Sequence, residues 1–200
     1  MLKAIIFDFD GVLFDDYEEH YQAYKKRYKD MTRKLHSKAY EGNILEAKEN
    51  LLKIKNKSFV VKNFLQGILM KKGIRKEALR FLKKNKKDYS YFIVTAASED
   101  FINYYLLRKK LTNLFKMIMG KESGKYKVDK MKKFLKENKL KKNEVVFVTD
   151  TLGDIKEAKK VGIKTIAIDF GFHKRKILEK GNPYKIVSSF KELEEVILEL

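Results

Sequence analysis

The chain has no cysteine, so disulfides and thiolate metal sites are excluded. Proline occurs once, as Pro183 in "EKGNPYKI", which reads as a turn before the last apolar run. No apolar run approaches the ~18 residues of a membrane span. Two aspartates within the first ten residues are at odds with a signal-peptide apolar region, so a soluble, cytoplasmic protein is expected. Acid is also scarce relative to base: 27 Asp and Glu face 46 Lys and Arg, a net charge of +19. The lysines are spread along the whole chain, and a basic surface of this kind raises the local concentration of anionic ligands. Heat adaptation pairs Lys with Glu, and here Glu lags far behind. Charge alone is a weak sign of nucleic-acid binding, which is not expected as the main role.

What the sequence does contain is a recurring strand–helix pattern. At 200 residues it suits one domain, or one domain with an insert, and it is long enough to bury a core without staples. Apolar runs rich in Ile and Val occupy residues 2–8, 89–95, 116–119, 144–150, 163–169 and 184–187. Such nearly continuous runs mark strands buried on both faces of a parallel sheet. Helical patterns follow at 100–110, 129–138 and 155–160, and the tail "KELEEVILEL" is an amphipathic closing helix. The alternation predicts an α/β fold, a doubly wound, Rossmann-like parallel sheet. Ligands bind at the carboxyl ends of the strands in such sheets. Asp8, Thr95 and Asp150 each end a predicted strand, so three polar residues from separate segments are expected on one edge.

Residues 16–72 interrupt the alternation. Tyr17, Tyr21, Tyr24, Tyr28, Met31 and Leu35 recur at spacings of four and three, one stripe along a helix. Ile44, Ala47, Lys48, Leu51 and Leu52 give a second, weaker helix, and Phe59, Val60, Phe64 and Ile68 a third. The expected organisation is a core domain at 1–15 and 73–200, with an inserted all-helical domain at 16–72. Gly73 marks the return.

The stretch "AIIFDFDGVLFDD" poses the chemical question, because a strand worth burying ends in acids. Residues i and i+2 of a strand share a face, so Asp8 and Asp10 could point at one site. Burying two anions together costs several kcal/mol per ion unless a cation compensates. Magnesium suits, because it takes oxygen ligands. A second acid pair, Asp150 and Asp154 in "FVTDTLGD", closes another strand.

With these residues in view, the chain resembles the haloacid dehalogenase-like hydrolase superfamily. Four motifs match in order: "DFDGV", "IVTAAS", the lysines of "GKYKVDKM", and "VTDTLGD". The resemblance extends through "DFGFHKRKILEKGNPYKIVSSFKELEEVI" and covers nearly the whole core. It implies that Asp8 is the nucleophile forming an aspartyl-phosphate. It implies that Asp10 protonates the leaving alkoxide and then activates water. Thr95, Ala96 and the third-motif lysine would hold the phosphoryl oxygens. Asp8, Asp150 and the backbone carbonyl of Asp10 would ligate magnesium, with Asp154 a ligand or near neighbour. Lys125 lies at the commoner distance from the fourth motif, whereas Lys127 has the spacing to Met131 of the family's lysine just before a helix. Lys127 is preferred and both stay open. Ala96 stands where many relatives have Asn.

An aspartate at position 10 points to phosphatases and phosphomutases, since the family's dehalogenases lack an acid there and its transport ATPases have Thr. The long span from Asp10 to Thr95 leaves room for a cap, and the short span from Thr95 to Lys127 leaves none for a second. The implied activity is magnesium-dependent hydrolysis of a small phosphorylated metabolite beneath a helical cap. A sugar-phosphate mutase and a polyanion-binding regulatory protein of the same fold are the alternatives. Several residues also have plainer readings. Ser98 is a helix N-cap, Asp154 could cap the helix through Ala158, and Asp15 supports the first-motif loop. The tyrosine stripe is packing, with Tyr17 and Tyr21 able to face substrate. His20, His36 and His173 show no ligand spacing and receive no role.

Overall fold

The protein is described from a computed structural model covering residues 1–50, 67 and 70–200. Six strands form one parallel sheet: β1 (Ala4–Phe7), β2 (Ser90–Val94), β3 (Met117–Met119), β4 (Val145–Thr149), β5 (Lys164–Ile168) and β6 (Lys185–Val187). Their order is β3-β2-β1-β4-β5-β6. Each lies inside an apolar run of the sequence, one or two residues shorter at its polar ends. The chain lays strands outward from β1 in one direction, then returns to its other side with β4. That reversal leaves a crevice at the carboxyl ends of β1 and β4, where doubly wound sheets bind ligands.

Alternation along the strands feeds two cores. Ile5 and Phe7 point to one face, against α4 (Lys76–Asn85), α5 (Glu99–Arg108) and α9 (Phe190–Leu198), through Phe81, Leu82, Ile102 and Leu193. Ala4 and Ile6 point to the other, against α6 (Lys127–Glu137) and α7 (Leu152–Val161), through Met131, Phe134 and Ala158. Each large apolar side chain buried this way contributes roughly 1.5–3 kcal/mol. The result is the expected three-layer, Rossmann-like α/β fold. Among the described residues no helix is long and apolar enough to cross a membrane.

Between β1 and α4 the described part of the insert is helical: α1 (Tyr17–Arg27), α2 (Arg33–Ala39) and α3 (Ile44–Asn50). The tyrosine stripe does not run along one helix. Tyr28 leaves helical geometry at φ −125°, ψ 103°, and Thr32 starts α2 by accepting the Leu35 N–H at 3.1 Å. The stripe survives the break because Met31, in the turn, packs with Tyr21 and Tyr24, and Tyr28 and Leu35 close around them. Leu51, Leu52, Phe59, Val60, Phe64 and Ile68 lie outside the described residues. The insert rests on the core through backbone: Gly153 N–H donates to Tyr40 O at 2.9 Å, and His173 Nε2 meets Ser37 O at 2.9 Å. Past Gly73, Arg75 N–H donates to Leu13 O at 2.8 Å, so the chain re-enters beside the loop it left.

Candidate active site

β1 stops at Phe7, so Asp8 and Asp10 belong to a loop rather than to one strand face. Phe9, Val12, Leu13 and Phe14 are fully buried and anchor that loop, with the Phe9 and Phe14 rings 4.7 Å apart. The anchoring fixes Asp8: its N–H donates to Val148 O at 2.9 Å, and its Oδ1 accepts the Phe9 N–H at 2.7 Å. Gly11 turns the loop with φ 75°, and a Cβ there would lie 1.9 Å from Asp150 Oδ2. Glycine is required at that position on both counts.

Asp150 leaves β4 and is fully buried. Its Oδ2 accepts the Phe172 N–H at 2.7 Å, while its Oδ1 is buried without a hydrogen-bond partner. Lys127, the first residue of α6, places Nζ 2.7 Å from Asp8 Oδ2 and 2.7 Å from Asp154 Oδ2. Asp154 Oδ2 also accepts the Thr149 hydroxyl at 2.7 Å. Asp8, Lys127, Asp150 and Asp154, with Asp10, Thr95 and Ala96, line one cleft, roofed from the insert by Tyr40, Gly42 and Ile44.

One ammonium bonds two of the three carboxylates, Asp8 and Asp154, and leaves Asp150 without it, and the titration behaviour reflects the shortfall. Burial pushes the Asp8 carboxyl well up, against the pull of Lys127. Burial likewise raises Asp150 to about 7, with Asp154 adding to it and the Phe172 N–H opposing. Burial works on Asp154 in the same sense but is outweighed by the charge and hydrogen bonds of Lys127 and the Thr149 hydroxyl, which hold it low. Burial lowers Lys127, yet Asp154 and Asp8 keep it above the ordinary lysine range. A divalent cation among oxygen donors fits this set: it would supply the missing charge and a partner for Asp150 Oδ1.

Asp8, Asp10, Thr95, Ala96, Lys127, Asp150 and Asp154 thus come together. Lys125 does not line the cleft; its ammonium stands 5.9 Å from the Tyr126 ring centroid. Lys127 lines the cleft because α6 begins there and turns its first side chain inward. Tyr17 and Tyr21 do not line the cleft either, and Tyr40 is the tyrosine that does. Asp154 is not an N-cap: α7 begins at Leu152, and Thr151 Oγ1 caps it by accepting the Asp154 N–H at 3.3 Å. Ser98 opens α5 without a side-chain cap, and Glu122 supplies the acceptor for the Glu99 N–H at 2.8 Å.

Two site neighbours escape the sequence reading. Asp16 rather than Asp15 supports the first loop, since its buried Oδ1 accepts the Gly11 N–H at 2.9 Å. Asp15 is mostly exposed and pairs with Arg75 at 3.1 Å. His20 Nε2 lies 3.4 Å from Asp16 Oδ2, and both lie within reach of Asp10. The available signal was the i, i+4 spacing of Asp16 and His20 at the start of α1. His173 also links insert and core. Its Nδ1 accepts the Leu152 N–H at 3.0 Å, so Nε2 carries the proton donated to Ser37 O.

A carboxylate at the switch point, facing a lysine and a second strand-end acid, lies where doubly wound sheets bind ligands. Residues 5–168 match the family model of haloacid dehalogenase-like hydrolases, and the chain belongs to that family. No curated protein matches the sequence. Solved structures share the fold at low identity. A predicted phosphatase from Clostridium acetobutylicum has a TM-score of 0.81 at 19% identity, covering 100% of both chains. A predicted phosphoglycolate phosphatase from Haemophilus somnus has a TM-score of 0.70 at 17% identity, covering 98% of both. CbbY from Rhodobacter sphaeroides, solved in complex with phosphate, has a TM-score of 0.74 at 18% identity, covering 96% of both.

Proposed function

We propose that the protein is a magnesium-dependent phosphatase that hydrolyses a small phosphate monoester through an aspartyl-phosphate. The observation that carries this reading is the Asp8 carboxylate, bonded to Lys127 in a cleft that also holds Asp10, Thr95 and Asp150. Structural likeness to proteins called phosphatases, and to one solved with phosphate, supports the same reading.

Asp8 attacks phosphorus, and the bond from phosphorus to the ester oxygen breaks. Asp10 gives its proton to the departing alkoxide. It then takes a proton from water, whose oxygen attacks the aspartyl-phosphate, releasing inorganic phosphate and restoring Asp8. Lys127 and the Thr95 hydroxyl hold phosphoryl oxygens and stabilise the charge that builds there. Asp8, Asp150 and the Asp10 carbonyl would hold magnesium, with Asp154 beside them. When bound, the ion shields carboxylate from phosphate and draws charge from the phosphoryl oxygens. Residues 16–72 act as the cap, and Tyr40, Gly42 and Ile44 face the leaving group.

The test is a screen of phosphorylated metabolites with magnesium, beside Asp8→Asn. Magnesium-dependent release of inorganic phosphate that the variant lacks is expected. Turnover by the variant at a near-native rate would remove Asp8 from its role, and an isomeric sugar phosphate in place of inorganic phosphate would make the protein a mutase.

A further inference from the structure

Lys130 stands three residues along α6 from Lys127, is 1% exposed, and has no part in the chemistry above. A buried ammonium is costly, and an apolar residue of the same length would fill the space without that cost. Its position explains its presence. Nζ donates to Thr95 O at 2.6 Å and to Gly120 O at 2.8 Å, the carbonyls just beyond β2 and β3.

The turn after β2 is tied down on several sides. Thr95 N–H donates to Met119 O at 3.0 Å, and Lys121 N–H to Ala97 O at 2.9 Å. Gly120 N–H donates to Glu99 Oε1 at 2.7 Å, and Ala97 N–H to Thr95 Oγ1 at 3.2 Å. Among the described residues the Ala96 N–H meets no acceptor. In a planar trans peptide the carbonyl and the next N–H point in opposite directions. Lys130 draws the Thr95 carbonyl towards itself, so the Ala96 N–H is turned away from Lys130, and Ala96 lines the cleft. Because Thr95 Oγ1 accepts from Ala97, its own proton remains to be given elsewhere. A cation bonded to the Thr95 carbonyl also polarises that peptide and strengthens the N–H as a donor.

We propose that Lys130 is a positioning residue for phosphate: its grip on the Thr95 and Gly120 carbonyls aims the Ala96 N–H and the Thr95 hydroxyl at the phosphoryl oxygens. The inference rests on the phosphatase reading. It is tested on the full, magnesium-loaded protein with Lys130→Met, which keeps the length and loses the donors, and Lys130→Gln, which keeps an amide donor. Inorganic phosphate is titrated as the ligand, and kcat and KM are measured on para-nitrophenyl phosphate.

Lys130→Met is expected to weaken phosphate binding by about tenfold or more, the factor equivalent to about 1.4 kcal/mol. KM should rise in parallel, and Lys130→Gln should recover part of the loss. In the unaltered protein the Ala96 amide resonance should shift as phosphate is added. A merely structural lysine would lower the melting temperature and leave the phosphate constant of the folded protein within about twofold; that result overturns the inference. If Lys130→Met does not fold, the Gln variant and the Ala96 resonance decide. A resonance that stays still while phosphate binds overturns the inference as well. Failure of the unaltered protein to bind phosphate or hydrolyse any ester defeats the phosphatase reading and takes this inference with it. Normal phosphate binding with an unaffected Lys130→Met defeats the inference alone.

Discussion

Without a cation the cleft holds more negative charge than its one lysine can balance, and Asp150 gives that excess a measurable form. Unfolded, its carboxyl titrates at an ordinary 3.8; folded, it titrates near 7. Between those values the folded protein holds the extra proton, so rising pH favours unfolding, and the full cost is present above about pH 7. A gap of that size corresponds to at most about 4 kcal/mol. Asp150→Asn removes the charge and keeps the shape, since the amide oxygen can still accept the Phe172 N–H. The variant should therefore be more stable than the unaltered protein in EDTA at pH 8. For a chain of this length about 2–4 °C of melting temperature accompanies each kcal/mol. The advantage should shrink as the pH falls from 7 and vanish only below about pH 3, where unfolded and folded Asp150 are both largely protonated. Magnesium should raise the melting temperature of the unaltered protein at pH 8, more than at pH 5, and leave Asp150→Asn almost unmoved. Melting curves at three pH values, with and without magnesium, are sufficient. A variant less stable than its parent at pH 8 in EDTA would show that the site carries no charge excess. Equal magnesium stabilisation of both would remove Asp150 from the ligand set.

Lys127→Met leaves Asp8 and Asp154 buried without their shared cation, and urea unfolding in EDTA should record a loss of about 3–5 kcal/mol. Lys130 carries a further pH signature. Burial, with the charge of Lys127, pushes it down to about 8 from an ordinary 10.5, so the unfolded chain binds more protons in that window. Stability relative to Lys130→Met should therefore rise by about 3 kcal/mol between pH 8 and 10.5, read from paired urea titrations. Asn43 Oδ1 accepts the Leu45 and Glu46 N–H groups, and its Nδ2 donates to the buried Glu157 at 2.7 Å. Asn43→Ala should cost about 0.5–2 kcal/mol as a lost cap, speed hydrogen exchange at those two amides and raise KM more than it lowers kcat. Exchange at the unaltered rate would show that Asn43 does not hold the insert to the core.

The sheet was legible because each strand is buried on both faces and so reads as an unbroken apolar run. The helix Lys76–Asn85 was missed because it follows the insert rather than a strand and falls outside the alternation. The tyrosine stripe misled for the opposite reason: spacings of four and three persist across a turn when the turn residue packs back into the same cluster, as Met31 does. Asp8, Thr95 and Asp150 could be placed on one edge by topology alone. Telling Lys127 from Lys125 needed the first residue of a helix, and telling Asp16 from Asp15 needed the direction of one side chain in a loop. Sequence spacing fixes neither. Lys130 was hidden among the many lysines of α6. Its face was readable, however: Lys127, Lys130, Met131 and Phe134 fall at i, i+3, i+4 and i+7, and all four are buried. A lysine on the apolar stripe of a helix is worth examining even in a chain full of lysines.

The distribution of charge ties the basic composition to the acidic site. Lys3, Lys87, Lys116, Lys142, Lys164 and Lys185 stand exposed at or just before the starts of the six strands. In a parallel sheet those starts share one edge, and the cleft opens on the other. Among the described residues lining the cleft, Asp8, Asp10, Asp150 and Asp154 face a single cation, Lys127. A chain of net charge +19 therefore keeps its reactive pocket locally negative. The two signs act over different ranges. The whole-molecule field would draw an anionic ester from solution, but beyond a Debye length of ~8 Å at physiological salt it is largely screened. Inside the cleft the carboxylates would repel that same ester. The six lysines at the strand starts cannot cure this, because they lie at the far edge of the sheet. A compensating charge within bonding distance of Asp8 and Asp150 would meet the shortfall, and a divalent ion among oxygen donors would supply it.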